Sequence, residues 1–141
     1  MKRITYRQLS KYKYELLESY FHDVGIYPAE DIITRYVSLL RTGVLAISER
    51  YAWDGPSGPT VDTKSSLRAS LVHDALYQLM KMGLLPWSHQ EQADCLLRDI
   101  AIEDGMWRIR AWTWYCGVRL AGKTWSQNNG EPGEDPVLTA P

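Results

Sequence analysis

Two adjacent residues, His73 and Asp74, are the clearest candidates for chemistry in this chain. Histidine titrates near neutral pH and can act as a general base, and a carboxylate can bind a metal ion. Both residues lie in an apolar pattern that predicts a helix, on which neighbouring side chains point about 100° apart. We therefore expect them to serve one pocket in separate roles rather than to pair. A buried, hydrogen-bonded histidine with a purely structural role is the alternative.

The position of Tyr77 and the choice between two aspartates complete this candidate site. Tyr77 follows His73 by four residues, so the two share one helix face. A catalytic histidine needs a second group to fix its tautomer, and the next predicted helix offers Asp94 or Asp99. We predict Asp94, because its neighbour Ala93 is small enough to let two helices approach closely. Asp99 is the alternative.

A loop rich in glycine and proline, residues 53–59, precedes this helix. Each proline fixes one backbone angle, so the loop is expected to hold its carbonyls and its one carboxylate in a fixed geometry. An ordinary tight connection at a sheet edge is the alternative. The residues predicted to contact a ligand in or near this loop are Trp53, Asp54, Ser57 and Tyr77. Oxygen ligands from Asp74 and the loop favour calcium or magnesium over zinc.

The elements that carry these residues follow from the periodicity of apolar side chains. Residues 1–27 favour an extended or mixed segment, and residues 32–40 and 44–53 favour a β-hairpin with a turn at Arg41-Thr42-Gly43. Three helices are predicted, from Asp62 or Thr63 to Gly83, from His89 to about Asp104 and from Met106 to about Ala121. The predicted fold class is α+β, with an N-terminal β-hairpin or small antiparallel sheet packed on a C-terminal bundle of about three helices. One domain is expected over residues 1–125, followed by a flexible tail over residues 126–141.

Composition excludes several classes of function. The chain has 141 residues and a formal net charge of −1, so general nucleic-acid binding is not expected. No membrane span and no signal peptide are expected, because no long apolar run occurs. Cys95 and Cys116 match no zinc motif and are predicted to be buried free thiols, with a disulfide as the alternative. Free thiols favour a reducing compartment. The oligomeric state is left open.

The order of four motifs resembles an uncharacterised family of phage and prophage proteins, classed only as a domain of unknown function. The motifs are D-G-x-S-x-P from Asp54, H-D-x-L-Y from His73, A-D at Ala93 and V-R-x-x-G from Val118. The resemblance covers most of the chain. It implies a phage or prophage origin and an α+β fold, and it implies no activity. With a phage origin, the reducing compartment would be the host cytoplasm, and association with the virion is the alternative.

The loop and the His-Asp helix also resemble the small secreted phospholipases that use calcium, over about a fifth of the chain. That resemblance implies that His73 is the base, that Asp94 orients it, and that Tyr77 lies beside them. It implies calcium ligation by Asp74 and by the carbonyls of Gly55 and Gly58. Leu76 occupies the position of a disulfide cysteine in that family, whose other cysteines and loop glycine pattern are also missing here.

Two functions fit these features. The first is a metal-assisted hydrolase of an ester or phosphoester, in which His73 activates water and Asp94 orients His73. Ser57 and Ser70 are weaker candidates for a nucleophile. The second is a phage binding protein without catalysis, which sequesters a small host molecule, blocks a host protein or forms a minor part of the virion. Its predicted contacts are aromatic side chains and arginines, namely Trp53, Tyr77, Trp107, Trp112, Trp114, Arg108, Arg110 and Arg119.

Overall fold

Short antiparallel strands precede three α-helices in the computed structural model, which describes residues 3–10, 13–55 and 64–128. This order confirms the predicted α+β class with strands at the N-terminus and helices at the C-terminus. The chain divides after Asp54 into a strand unit and a helical unit, and each is described by itself. The extent of a single domain over residues 1–125 stays a prediction, and residues 129–141 of the predicted tail lie outside the described ranges.

The strand unit contains two small sheets. Its strands are β1 (Tyr6–Ser10), β2 (Lys13–Leu16), β3 (Tyr20–Asp23), β4 (Ile32–Ile33), β5 (Val37–Leu39), β6 (Val44–Ile47) and β7 (Ala52–Trp53). The first sheet has the order β1-β2-β7 and the second β3-β6-β5-β4, with antiparallel pairing throughout. The predicted hairpin is present as β5 and β6, and the chain turns at Gly43, whose amide donates to the Leu40 carbonyl at 2.9 Å.

Alternating side chains build the core of the strand unit. In β3, Tyr20 and His22 are buried while Phe21 and Asp23 are exposed, as expected for a strand with one covered face. The most completely buried side chains of this unit are apolar residues of β2, β5 and β6, namely Leu16, Val37, Leu39, Leu45 and Ile47. The final strand, β7, pairs with β2 instead of extending the hairpin sheet.

The helical unit consists of α1 (Lys64–Lys81), α2 (Gln90–Glu103) and α3 (Arg108–Asn128), with a 3₁₀ turn at Trp87–His89. Contacts between α1 and α2 show that they run antiparallel. Arg68 near the start of α1 meets Asp104, just after the end of α2, through two hydrogen bonds of 3.0 and 2.8 Å. Farther along α1, His73 meets Asp94 near the start of α2. The buried Arg68 also pairs with Glu103, so the two helices are joined by charge pairs at that end.

The ends of the first two helices agree with the sequence prediction, and the end of the third does not. The first helix ends at Lys81, and Gly83 follows with a φ of 76°, a conformation that glycine adopts without strain. The second helix, Gln90–Glu103, lies within one residue of the predicted range at each end, and its cap residue, His89, makes no side-chain hydrogen bond. Gly122 does not end α3, which continues to Asn128. The predicted caps of the first helix lie outside the described residues.

The third helix presents apolar side chains on two faces. Its inner face includes Ala111 and Trp114, which are buried. A second set of apolar side chains, spaced by three, four and four residues, forms an exposed row that we call the outer stripe: Ile109, Trp112, Cys116 and Leu120. Cys116 is therefore exposed and Cys95 half-buried, so the expectation that both thiols are buried is wrong; both are free. Over the described residues, no helix is long and apolar enough to cross a membrane.

Candidate active site around Asp94

A fully buried carboxylate, Asp94 of α2, accepts hydrogen bonds from two neighbouring helices. Its Oδ1 lies 2.7 Å from His73 Nε2 and 2.7 Å from the Tyr77 hydroxyl, both on α1. Its Oδ2 accepts from Arg119 Nη1 of α3 at 3.0 Å. The side chain of Asp94 is 0% exposed, so these donors replace the water that a carboxylate would otherwise bind. An ionised carboxylate only accepts hydrogen bonds, so this arrangement places a proton on His73 Nε2.

His73 lies between two carboxylates that differ in exposure. Its Nε2 contacts the buried Asp94, while its Nδ1 lies 3.7 Å from Asp74 Oδ1, whose side chain is 35% exposed. Burial opposes the charged imidazolium, but the hydrogen bonds and charges of Asp74 and Asp94 together outweigh it and raise the pKa of His73 above 6.5. Asp74 is thus close enough to act on His73 electrostatically, although the sequence predicted that they would not pair.

Tyr77 supports the ring of His73 and donates to the same aspartate. The two ring centroids are 4.2 Å apart, and Tyr77 also makes an edge-to-face contact with Trp87, with a centroid distance of 5.8 Å. Burial raises the pKa of Tyr77 above its ordinary value, and the charge of Asp94 adds to the effect. The hydroxyl therefore keeps its proton and stays a donor to Asp94 at neutral pH.

Gly122 of α3 has no side chain at the point where the helix packs against the hydroxyl of Tyr77, which donates to Asp94. A Cβ atom added to Gly122 would overlap the Tyr77 hydroxyl oxygen and lie 2.6 Å from Gln90 Nε2. Gly122 is buried, and it follows Arg119 by three residues, so both lie on the side of α3 that faces this site. The missing side chain is thus a condition for close packing of α3 on the site.

The structure brings together three of the predicted site residues, His73, Tyr77 and Asp94, and places Asp74 at their edge. Asp99 is exposed and pairs with its neighbour Arg98 at 2.9 Å, so it makes no contact with this network. Arg119 was expected only as a ligand contact, and its bond to Asp94 was missed. The only sequence signal for it was the V-R-x-x-G motif, in which arginine and glycine share a helix face.

One further candidate, Ser70, is also placed by the structure. Its hydroxyl donates to the carbonyl of Leu67 in its own helix at 2.9 Å. The side chain is buried within α1. This bond gives the serine a structural role in the helix, and we do not assign it as the nucleophile.

The predicted loop residues are only partly described. Trp53 is 3% exposed and packs against Tyr14 with ring centroids 5.7 Å apart, so its side chain contributes to the core of the strand unit. This burial argues against the predicted role of Trp53 in stacking on a ligand. Asp54 is exposed, and Gly55 follows with a φ of 81°. Ser57 and Gly58 lie outside the described residues. The predicted roles of Asp54, Gly55, Ser57 and Gly58 stay predictions.

A divalent cation at Asp74 would have to take most of its ligands from the backbone and from water. In the part of the chain that the structure describes, no group of three or more histidine, cysteine or acidic side chains is arranged to hold a metal ion. Asp74 supplies one partly exposed carboxylate beside His73. One carboxylate with carbonyl and water oxygens is a donor set that suits calcium or magnesium and does not suit zinc.

Comparisons with protein-family models, with curated proteins and with solved structures found no significant match. The resemblances to the phage family and to the phospholipases therefore stay predictions. Function has to be argued from the geometry of the site, since fold alone does not determine it.

Proposed function

We propose that the protein is a hydrolase of an ester or phosphoester that uses His73 as a general base and is assisted by a divalent cation. The observation that carries this proposal is the contrast between the two nitrogens of His73. Nε2 lies 2.7 Å from the buried Asp94, whereas Nδ1 is on the side of the partly exposed Asp74. A buried carboxylate that fixes one nitrogen of a histidine is one requirement of base catalysis. The side chain of His73 is itself 9% exposed, so we assign the approach of water to the side of Asp74.

The bonds around Asp94 support a consistent set of proton transfers. The base is the neutral form of His73, which predominates above its raised pKa: Nε2–H donates to Asp94 and Nδ1 carries the lone pair. Nδ1 takes a proton from a water molecule, whose oxygen attacks the ester carbonyl or the phosphorus atom. Asp94 stabilises the resulting imidazolium, and Tyr77 and Arg119 hold Asp94 in place. The imidazolium then returns the proton to the departing alkoxide, which leaves as an alcohol.

Asp74 is the side chain we assign to the cation, together with carbonyls of the loop that begins at Gly55. When bound, calcium or magnesium would polarise the substrate oxygen that gains negative charge during attack. Asp74 also lies 3.7 Å from His73 Nδ1, so its carboxylate would bring the cation and the base to the same substrate.

Replacement of Asp94 tests this function against a matched control on the same helix. We expect Asp94→Asn to reduce hydrolysis of a panel of carboxylic and phosphate esters in calcium by at least about 100-fold, because the base loses its orienting charge. We expect Asp99→Asn to keep full activity, since Asp99 is exposed and pairs only with Arg98 among the contacts described. Initial rates and circular dichroism spectra of both variants provide the measurement.

His73→Ala separates catalysis from folding. It should abolish turnover even at temperatures where its circular dichroism spectrum matches that of the wild type. Absence of hydrolysis by the wild type over the whole panel, with calcium and with magnesium, would contradict the proposal. Equal rates for Asp94→Asn and Asp99→Asn would contradict the role of the dyad.

The phage origin and the host cytoplasm rest on the motif resemblance and the cysteine usage alone, and both stay predictions. The non-catalytic binding function has partial support from side-chain exposure. Trp53 and Trp114 are buried and Tyr77 belongs to the Asp94 network, whereas Trp107 and Trp112 are exposed. Any stacking surface of that kind is thus confined to the start of α3.

A further inference from the structure

The outer stripe of α3 is an exposed apolar surface that the proposed chemistry does not use. Ile109 is 83% exposed, Leu120 72% and Trp112 47%. At 1.5 Å per residue the stripe extends about 17 Å along the helix. Trp107, just before the helix, is also 83% exposed. Exposed apolar side chains that form a continuous row indicate a binding surface.

Charge restricts what can cover this stripe. The sequence of α3 contains four basic residues and no acidic residue. Arg108 is exposed and lies one turn before Trp112, along one edge of the stripe. From α2, the guanidinium of Arg98 lies 4.3 Å from the centre of the Trp112 ring and pairs with Asp99. Asp99 offsets the charge of Arg98, so Arg108 is the basic residue that adds positive charge at the edge of the stripe. This charge favours an occupant that carries negative charge.

Shape restricts the occupant further. The stripe follows one face of a single helix, so it is a convex ridge. A protein partner would need a complementary groove to bury such a ridge, whereas a lipid surface deforms around inserted side chains. A second copy would place two α3 helices side by side. Because the charged residues of α3 are all basic, the two helices would repel each other. Tryptophan, isoleucine and leucine on one face with basic residues beside them are typical of helices that lie in the membrane interface.

We propose that the outer stripe of α3 docks the protein on an anionic lipid surface. Ile109, Trp112 and Leu120 insert at the level of the headgroups, and Arg108 faces the lipid phosphates. The helix lies in the plane of the interface and does not cross it. This docking does not depend on the proposed hydrolase function, because it uses the side of α3 opposite the buried Ala111 and Trp114.

Vesicle co-sedimentation of the full chain tests the proposal. We expect binding to vesicles of equal parts phosphatidylglycerol and phosphatidylcholine, weak binding to phosphatidylcholine alone, and a decline with added salt. The double variant Ile109→Ser/Leu120→Ser should lower the partition coefficient on anionic vesicles by about tenfold or more, because two apolar side chains no longer enter the interface. Phe21→Ser/Ile33→Ser is the matched control, since these side chains are 60% and 66% exposed in the strand unit. The control should bind as the wild type does.

A charge variant gives an independent readout. Arg108→Glu leaves the apolar stripe intact and should weaken binding to anionic vesicles while leaving the weak binding to neutral vesicles unchanged. The proposal is overturned if the wild type does not sediment with anionic vesicles, or if Ile109→Ser/Leu120→Ser binds as tightly as the wild type. It is also overturned if the wild type forms a dimer in solution that this double variant abolishes, because a second copy would then cover the stripe.

Discussion

At the scale of the residue, the two carboxylates beside His73 have different tasks because their exposure differs. Asp94 is sealed from solvent and receives only protein donors in the described contacts, so it fixes the position and tautomer of the imidazole. Asp74 has 35% of its side chain exposed, so it is partly accessible to solvent. His73 thus lies between one fully buried carboxylate and one partly exposed carboxylate.

The raised pKa of His73 makes stability depend on pH. The folded protein holds the imidazolium more tightly than the unfolded chain, whose histidine has a pKa of about 6.5. The associated stabilisation is complete below about pH 6.5 and is lost as the pH rises through the folded pKa. We expect the free energy of unfolding in urea, measured with a chelator present, to fall across this alkaline interval. In His73→Gln that decline should be absent; an identical decline in both proteins would refute the assignment.

The sequence was sufficient to predict the partner of His73 but not the whole network. Asp94 could be chosen over Asp99 because Ala93 permits close approach of the helices, and the structure places Asp94 in contact with His73. Arg119 lies 25 residues beyond Asp94 in an aromatic helix. Its contact depends on how α3 packs against α2, and periodicity within one helix carries no information about that packing.

At the scale of the element, Gly122 shows how one missing side chain sets the distance between helices. In the sequence it was interpreted as the end of a helix, which is where glycine is commonest. Its actual role depends on Tyr77, a residue 45 positions earlier, and no local pattern reveals such a contact. The same limitation applies to the outer stripe, because the sequence does not indicate which of two apolar faces is covered.

Gly122→Ala should therefore damage the site even though alanine favours helices. The new methyl group would overlap the Tyr77 hydroxyl and displace it from Asp94, at a cost of about 1–3 kcal/mol in stability. Gly117→Ala is the matched control, since a Cβ there meets no atom within 4 Å, and it should stabilise α3 by about 0.5–1 kcal/mol. Thermal unfolding of both variants measures the contrast. Equal effects would show that Gly122 is not a close-packing position.

At the scale of the whole molecule, the fold class was predictable because it depends on periodicity, which the sequence displays directly. The sequence predicted an extended or mixed segment over residues 1–27, a hairpin over residues 32–53 and three helices after it, and the structure has strands followed by three helices. The pairing of β7 with β2 was not predictable, because it joins residues almost 40 positions apart. Pairing between strands so far apart in the sequence depends on how the whole chain packs, which a local pattern does not reveal.

Cation binding gives a test at this same scale. A ligand that binds only the native state raises the melting temperature according to its concentration relative to its Kd. We expect calcium in the millimolar range to raise the melting temperature of the wild type, and to leave that of Asp74→Asn unchanged. Asp99→Asn should respond as the wild type does, because its carboxylate is remote from His73 in the contacts observed. If calcium still raised the melting temperature of Asp74→Asn, the cation would have to bind at another site.

The three donors on Asp94 also constrain how this protein can evolve. Loss of Asp94 alone would leave His73, Tyr77 and Arg119 without their shared acceptor, and breaking a buried charge pair in this way costs about 3–5 kcal/mol. Joint replacement of all four by apolar residues of similar volume could leave stability almost unchanged. Replacement of one of these residues at a time therefore destabilises the protein, whereas replacement of all four together does not. We expect related chains either to keep the four residues as a set or to lack all of them.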